Sequence, residues 1–305
     1  MEMHQMEMHQ IEGKMALIYR RTESDSMEIT GYEGTVKDLV IPETVEGLTV
    51  RRIGKNAFSG REDLRSVHLP QTIDTLGRYA FYNCKNLERL FLYDRVEDYY
   101  DGVIKQCGSL SEITLTQTRA DFSVMKELLA DNDRMLHFKI EPLGLHLTFP
   151  AYVYDFVEDV EARVLHHKIE GSGYPCRECV TRKGVDLLAY DGLFDQVVQD
   201  DYHGAIDIAL ERLMYPLELT PHHRENYMQY LEKNAGVVLR ELMEKDRLEE
   251  ISYLCENCMI PEQVLPEILE ISARQKKSRI TALLMEYQKE NFGKKTAGIM
   301  TLEDW

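Results

Sequence analysis

The chain has 305 residues, 44% of them apolar, and a formal net charge of −17 from 36 basic and 53 acidic side chains. That length allows two packed domains, and the charge repels phosphate backbones and anionic lipid, which sets aside nucleic-acid and membrane-surface partners. No run of about 18 apolar residues is present, so no membrane-spanning helix is expected.

The start, "MEMHQMEMHQIEGK" (1–14), carries acids and histidines where an export signal needs a basic patch and an apolar stretch, and its "MEMHQ" doublet reads as a disordered tail or a duplicated start region. Six cysteines are too sparse for a disulfide-stapled scaffold. With no export signal, reduced thiols in a cytoplasm are the expectation.

Residues 15–119 read as a repeat domain. Ala57-Phe58 recurs as Ala80-Phe81, and the slot falls next on Val103-Ile104, a step of 23 residues. Leu64, Leu87 and Leu110 keep the step, as do Arg61, Cys84 and Cys107. Each unit opens on the same spacing: Leu64-x-x-Val67-x-Leu69, Leu87-x-x-Leu90-x-Leu92, Leu110-x-x-Ile113-x-Leu115. An earlier unit begins at Val36-x-x-Leu39-x-Ile41-Pro42 and is longer around "VEGLT", since Pro42 to Pro70 is 28 residues. A period of about 20–29 with L-x-x-L-x-L predicts a leucine-rich solenoid. Side chains alternate along a short strand, so Val67 and Leu69 point inward while His68 points out. One coil cannot bury its apolar row alone, whereas stacked coils set Leu64 on Leu87 on Leu110.

"LVIPETVEGLTVRRIGKNAFSGREDLRSVHLPQTIDTLGRYAFYNCKNL" resembles the BspA-type leucine-rich repeat family, whose units run L-x-x-V-x-I-P…I-G…A-F…C…L. The resemblance covers roughly residues 29–115, and the third unit, "DYYDGVIKQCGSL", departs from it by losing the Gly and the Ala-Phe. It implies a protein-binding scaffold with no catalytic residues to carry over. Members are mostly surface or secreted adhesion proteins with long arrays, unlike this short one. The outward strand positions are Val40, His68, Phe91 and Thr114, with Arg65 and Arg89 exposed nearby. Of these, Arg65, His68, Arg89 and Phe91 are the candidate partner-binding residues, because Phe and Arg anchor protein interfaces; the competing reading is an exposed Phe packed on its neighbours.

Residues 120–150 read as a capping helix, carried by Phe122, Met125, Leu128 and Leu129 within 121–135, followed by a connector with two prolines. From 151 to 292 the chain reads as helical, with amphipathic stripes such as Ile206, Ala209, Leu210, Leu213 and Val238, Leu239, Leu242. Seven short helices are expected, with Pro221 and Pro261 in first turns and Asp246 with Glu249 as an acidic capping box. The whole is an α+β chain: a short leucine-rich repeat β-solenoid joined to an all-α helical-hairpin domain of α-solenoid type. No strict period is visible in the helical part. "RLEEISYLCENCMIPEQVLPEILEISARQKKSRITALLMEYQ" resembles an ankyrin-type helix pair without the T-P-L-H signal. Residues 293–305, ending on Trp305, read as a flexible tail.

Two C-x-x-C pairs, Cys176/Cys179 and Cys255/Cys258, match the ligand count of a structural zinc site. They stand 76 residues apart (179 to 255), and Cys255 falls on an apolar stripe, so buried thiols are the competing reading. The loop "KIEGSGYPCRECV" (168–180) lacks a phosphate-loop pattern and reads as a turn packing one helix on the next. His166-His167 and His222-His223 are not chelates on a helix, because adjacent residues point apart. "DFVEDVE" places Asp155, Glu158 and Asp159 on one side of a helix, a solvated face. The reading favoured is an intracellular protein-interaction scaffold without catalysis or cofactor. A zinc-binding regulatory protein and an enzyme site hidden in the helical half are the alternatives.

Overall fold

The computed structural model describes residues 7–11, 15–159 and 164–293, and the chain forms two compact units, Met1–Thr220 and Pro221–Trp305. The predicted tails at 1–6, 12–14 and 294–305 lie outside the described residues, whereas 7–11, expected in the disordered start, is a strand.

The first unit opens with β1 (Glu7–Ile11), β2 (Met15–Arg21), β3 (Met27–Gly34), β4 (Asp38–Val40), β5 (Thr44–Val45) and β6 (Leu48–Ile53). It continues with β7 (Ser66–His68), β8 (Thr75–Leu76), β9 (Arg89–Tyr93), β10 (Asp98–Tyr99) and β11 (Glu112–Thr116). Two sheets result. One runs β1-β2-β3-β6-β8-β10, antiparallel at its start and parallel from β3 onward, with β5 folded back on β6. The β5–β6 turn absorbs the extra residues of the first unit. The other sheet takes one strand from each coil, β4-β7-β9-β11, all parallel.

Register turns the 23-residue step into a core. Leu39, Val67, Leu90 and Ile113 are direct partners across that sheet and are fully buried. Each such side chain contributes about 1.5–3 kcal/mol of transfer free energy. The repeated aromatic slot forms a second column, with Phe58 stacked on Phe81 at 5.2 Å and Tyr32 beside Phe58 at 5.8 Å. The cysteine column has a hydrogen-bonding task. Cys84 Sγ donates to the Phe58 carbonyl at 3.1 Å, and Cys107 Sγ to the Phe81 carbonyl at 3.0 Å, each one coil back. Every coil also makes two left-handed bends at the same step, at Asn56, Tyr79 and Gly102 and at Gly60, Asn83 and Gln106. The third coil therefore keeps the backbone of the others although its Ala-Phe is replaced by Val103-Ile104, both buried.

Helix α1 (Ser123–Asp131) follows, within the stretch expected to carry a capping helix. Its last residue, Asp131, accepts from Tyr99 Oη at 2.8 Å, Gly102 N–H at 3.1 Å and Ile104 N–H at 3.2 Å. The segment expected to be a connector is instead β12 (Leu136–Glu141) and β13 (Leu145–Phe149). β12 adds in parallel to β11 and β13 returns antiparallel, so the inner column continues through Phe138 to Leu147. The alternation L-H-F-K-I and L-H-L-T-F outweighs the prolines, which fall outside both strands.

The chain is not helical from 151. β14 (Val153–Asp159) and β15 (Val164–Glu170) pair as an antiparallel hairpin. On a strand, spacings of three and four no longer define one side, which removes the helical grouping of Asp155, Glu158 and Asp159. His166-His167 likewise stand on a strand, and the side chains of these five residues lie outside the described residues. Helix α2 (Gly173–Glu178), the small hairpin β16 (Val180–Thr181) and β17 (Gly184–Val185), then α3 (Leu187–Gly192), α4 (Phe194–Asp200) and α5 (Tyr202–Met214) complete the unit. The stripe Leu187, Tyr190, Phe194, Val197 is thus shared by two short helices. Asp201 caps α5 by accepting from the His203 and Gly204 amides. A fully buried bidentate pair, Arg212 to Asp191 at 2.7 and 2.9 Å, ties α5 to α3.

The second unit holds α6 (Pro221–Lys233), α7 (Ala235–Glu244), α8 (Leu248–Glu256), α9 (Leu265–Arg274) and α10 (Ser278–Phe292). α7 packs on α6, α8 and α9, and α10 on α8 and α9. Here there is a repeat after all: α7 and α8 begin at 235 and 248, α9 and α10 at 265 and 278, each 30 residues later. The intervening turns match as well, with Asp246 and Lys276 both left-handed (φ 54° and 58°). Asp246 is therefore a turn residue that accepts from Lys277 Nζ at 2.6 Å, and α8 starts after Arg247 without a side-chain cap, so the expected capping box does not form. Pro221 does open α6, and Pro261 immediately precedes a short 3₁₀ turn.

Candidate functional site

The outward row of the solenoid sheet is continuous. Val40 pairs with His68, His68 with Phe91, and Phe91 with Thr114, all in direct register. β12 and β13 extend this row by Lys139 and His146, which the connector reading had left out. The His68 and Phe91 rings lie flat on each other, 4.0 Å between centroids and 6° from parallel. Around them Val40, Tyr93, Thr114, Lys139 and Glu141 line a shallow depression of about 520 Å³. Val40 is 57% exposed at its open end.

Charge on this face is arranged in pairs. Arg65 meets Glu88 at 3.0 Å, Arg89 approaches Asp38 at 3.8 Å, and Lys139 meets Glu112 at 2.7 Å. All are partly exposed, so each pair adds little stability and keeps its long side chain at the rim. Burial pushes the His68 imidazole below its ordinary pKa, opposed by the Asp38 carboxylate and reinforced by Arg89. It is therefore a neutral, stacking ring at neutral pH.

The row ends at a wall. His146 stacks on Tyr215 at 3.6 Å, just beyond α5. Glu211 of α5 accepts from Thr148 Oγ1 at 2.7 Å and stands 3.3 Å from His137 Nδ1, which is itself 2.8 Å from Thr148 Oγ1. These contacts seat α5 over the outward face of β13 and the His137 end of β12, so the open ribbon runs from Val40 to Lys139. Burial also lowers the pKa of His146, with Glu211 acting the other way.

The cysteine pairs occupy different surroundings. Cys176 and Cys179 are buried in the first unit and Cys255 is buried in the second, while Cys258 is exposed. Burial pushes the Cys176 thiol up to about 12, Cys179 to about 11 and Cys255 to about 12, which keeps all three protonated. Among the described residues no three His, Cys, Asp or Glu side chains are grouped to hold a metal ion. Nothing in these surroundings supports the zinc set.

The 168–180 loop is organised by a residue between those cysteines. Buried Arg177 donates to the carbonyls of Leu129, Pro150, Asn132, Arg134 and Gly173, and its guanidinium faces the Tyr152 ring at 4.8 Å. Burial lowers its pKa to about 10, so it stays charged at neutral pH. Gly171 takes φ 96°, as the loop's glycines suggested, whereas Gly173 is required for space: a Cβ there would stand 2.1 Å from the Pro150 carbonyl oxygen. The segment is an internal clamp built on Arg177, while Glu170 and Glu178 stay exposed. His222 and His223 sit in the first turn of α6 with ring centroids 5.5 Å apart.

Residues 32–129 match the family model described as BspA type leucine rich repeat region, in six copies. Among solved structures, a leucine rich cell surface protein from Faecalibacterium prausnitzii is 23% identical over 36% of this chain and 33% of its own, with a TM-score of 0.30. A leucine rich repeat protein of T. pallidum is 26% identical over 32% of this chain and 56% of its own, TM-score 0.26. A leucine-rich repeat protein from Bacteroides ovatus is 21% identical over 41% of this chain and 32% of its own, TM-score 0.31. The chain thus spans from about a third to a little over half of those proteins. No curated protein matches the sequence. The segment 32–129, which builds the coils beneath the Val40–Thr114 row, is a BspA-type leucine-rich repeat region.

Proposed function

We propose that the chain is a protein-interaction scaffold whose recognition surface is the open ribbon from Val40 to Lys139. The observation that carries this reading is the His68–Phe91 stack in the middle of an unbroken outward row, bordered by paired charges and stopped by α5. An aromatic centre with a charged rim is the arrangement that anchors protein partners. The leucine-rich family supports a protein as the ligand class, and the net charge of −17 favours a partner without large acidic patches. The reading uses no cofactor and no catalytic residue. Six cysteines without a disulfide suit a reducing compartment, and we place the protein in the cytoplasm. Among the described residues, no helix is long and apolar enough to cross a membrane.

A photo-crosslinking amino acid placed at position 91 or 114 should yield the same covalent partner in cells, whereas position 52 on the other sheet should not. Adducts of equal yield from position 52, or none from 91 and 114, would move recognition off the ribbon.

A further inference from the structure

The corner where each coil enters the sheet of β6, β8 and β10 gathers arginines in a strongly acidic chain. Arg51, Arg95 and Arg119 line one pocket of about 300 Å³, together with Thr49 and Thr72. The solenoid step puts them there: β6 and β8 pair at Arg52–Thr75, and β8 and β10 at Thr75–Asp98, so Arg51, Asp74 and Glu97 form one column. Thr49, Thr72 and Arg95 form the column beside it at the same spacing of 23.

The two carboxylates hold rather than saturate the arginines. Asp74 takes Arg51 through Nη1 at 2.9 Å, and Glu97 takes Arg119 through Nη1 at 2.6 Å. A guanidinium carries five N–H donors, so both keep donors to spare. Arg95 has no ion pair or hydrogen bond among the described residues. The Thr72 hydroxyl, which lines the same pocket, also has no hydrogen-bond partner among the described residues.

We propose that this corner is a binding site for a phosphate monoester, with Arg95 as its principal contact and Arg51 and Arg119 as flanking donors. Three forks from different coils suit a doubly charged tetrahedral group, which offers three oxygens, better than a carboxylate, which offers two. The volume fits a phosphoryl group and the few atoms that bear it, which leaves two sources: a small phosphorylated metabolite, or a phosphorylated side chain on a protein.

The test is calorimetric titration of the full chain at low salt with phenyl phosphate, with a short peptide carrying one phosphoserine, and with that peptide unphosphorylated. Saturable binding of a phosphorylated probe is expected, weakened at least tenfold by Arg95→Gln and unchanged by Arg274→Gln, an exposed arginine of α9. Circular dichroism confirms that both variants are folded. Tighter binding of the phosphopeptide than of phenyl phosphate assigns the site to a protein; the reverse assigns it to a metabolite. Absence of saturable binding, or equal weakening by both substitutions, overturns the proposal. Because Arg89 and Phe91 play no part in it, failure here leaves the ribbon reading standing.

Discussion

The imidazole of His68 lies parallel to the ring of Phe91, one coil away, with 4.0 Å between their centroids. Burial against that ring, with Arg89 nearby, holds the His68 pKa below its ordinary value. The unfolded chain binds the proton near pH 6.5. Stability from this residue is therefore complete above about pH 6.5 and is lost as pH falls through the folded pKa. In an NMR titration, His68 should titrate below the free value, move up in Phe91→Ala and Arg89→Gln, and move further down in Asp38→Asn. A pKa untouched by Phe91→Ala would mean that the stack does not desolvate the ring.

Gly102 meets two demands, of which Gly60, at the other left-handed bend of the coils, meets one. It is left-handed at φ 73°, and a Cβ there would stand 2.3 Å from Tyr79 Cε1. Gly60 has the same φ with open space around it. Gly60→Ala should cost about 1 kcal/mol from the backbone alone, and Gly102→Ala about 2–3 kcal/mol once overpacking is added. Urea unfolding measures both. In a Tyr79→Asn background, where the ring is gone and Asn tolerates the left-handed bend, the Gly102→Ala cost should drop to that of Gly60→Ala.

Thiol chemistry should sort the cysteines by environment. Cys258 is exposed, whereas the other five are buried. Native-state alkylation at neutral pH should modify Cys258 within minutes and the rest only as the chain unfolds, since the attacking species is the thiolate. Rapid labelling at Cys176 or Cys179, read by peptide mass spectrometry, would contradict the burial described for them.

Arg177 satisfies five carbonyls from three stretches of backbone, 129–134, Pro150 and Gly173. Arg177→Leu leaves several buried acceptors without a donor, at roughly 1–3 kcal/mol each, and should destabilise the first unit by about 3 kcal/mol or more. Arg177→Lys should fall between, because an ammonium has three donors and no planar fork. A loss under about 1 kcal/mol in Arg177→Leu, by urea unfolding, would show that water replaces the guanidinium freely.

The ribbon was legible because a 23-residue step fixes register by itself: once Leu64 stacks on Leu87, His68 must neighbour Phe91. Lys139 and His146 escaped because β12 begins after a helix, so no fixed step links it to β11. The hairpin at 153–170 was hidden by acids and histidines spaced well for a helix, with pairing to another strand as the deciding term. The 30-residue helical repeat was masked by composition. Where α7 has the apolar Leu242, α9 has Ser272, buried and bonded to the Leu269 carbonyl and to Thr281. The shared left-handed turns at Asp246 and Lys276 carry no residue type in common. Arg177 carries no signal of its own in the sequence: a single basic residue between two cysteines is shown to be a buried cation only once the fold sets the carbonyls of 129–134 and Pro150 around it.

The wall made by α5 gives the ribbon a finite span. From Val40 to Lys139 there are four strand-to-strand steps, about 19 Å, and the strands range from about 10 to about 20 Å long, a footprint on the order of 300 Å². A durable protein complex covers about 800 Å² on each side. One short helix or one hairpin loop of a partner fills the ribbon, and the grip it offers alone is brief. Any long-lived complex must recruit surface outside it, which makes the ribbon a place of first selection and rapid exchange.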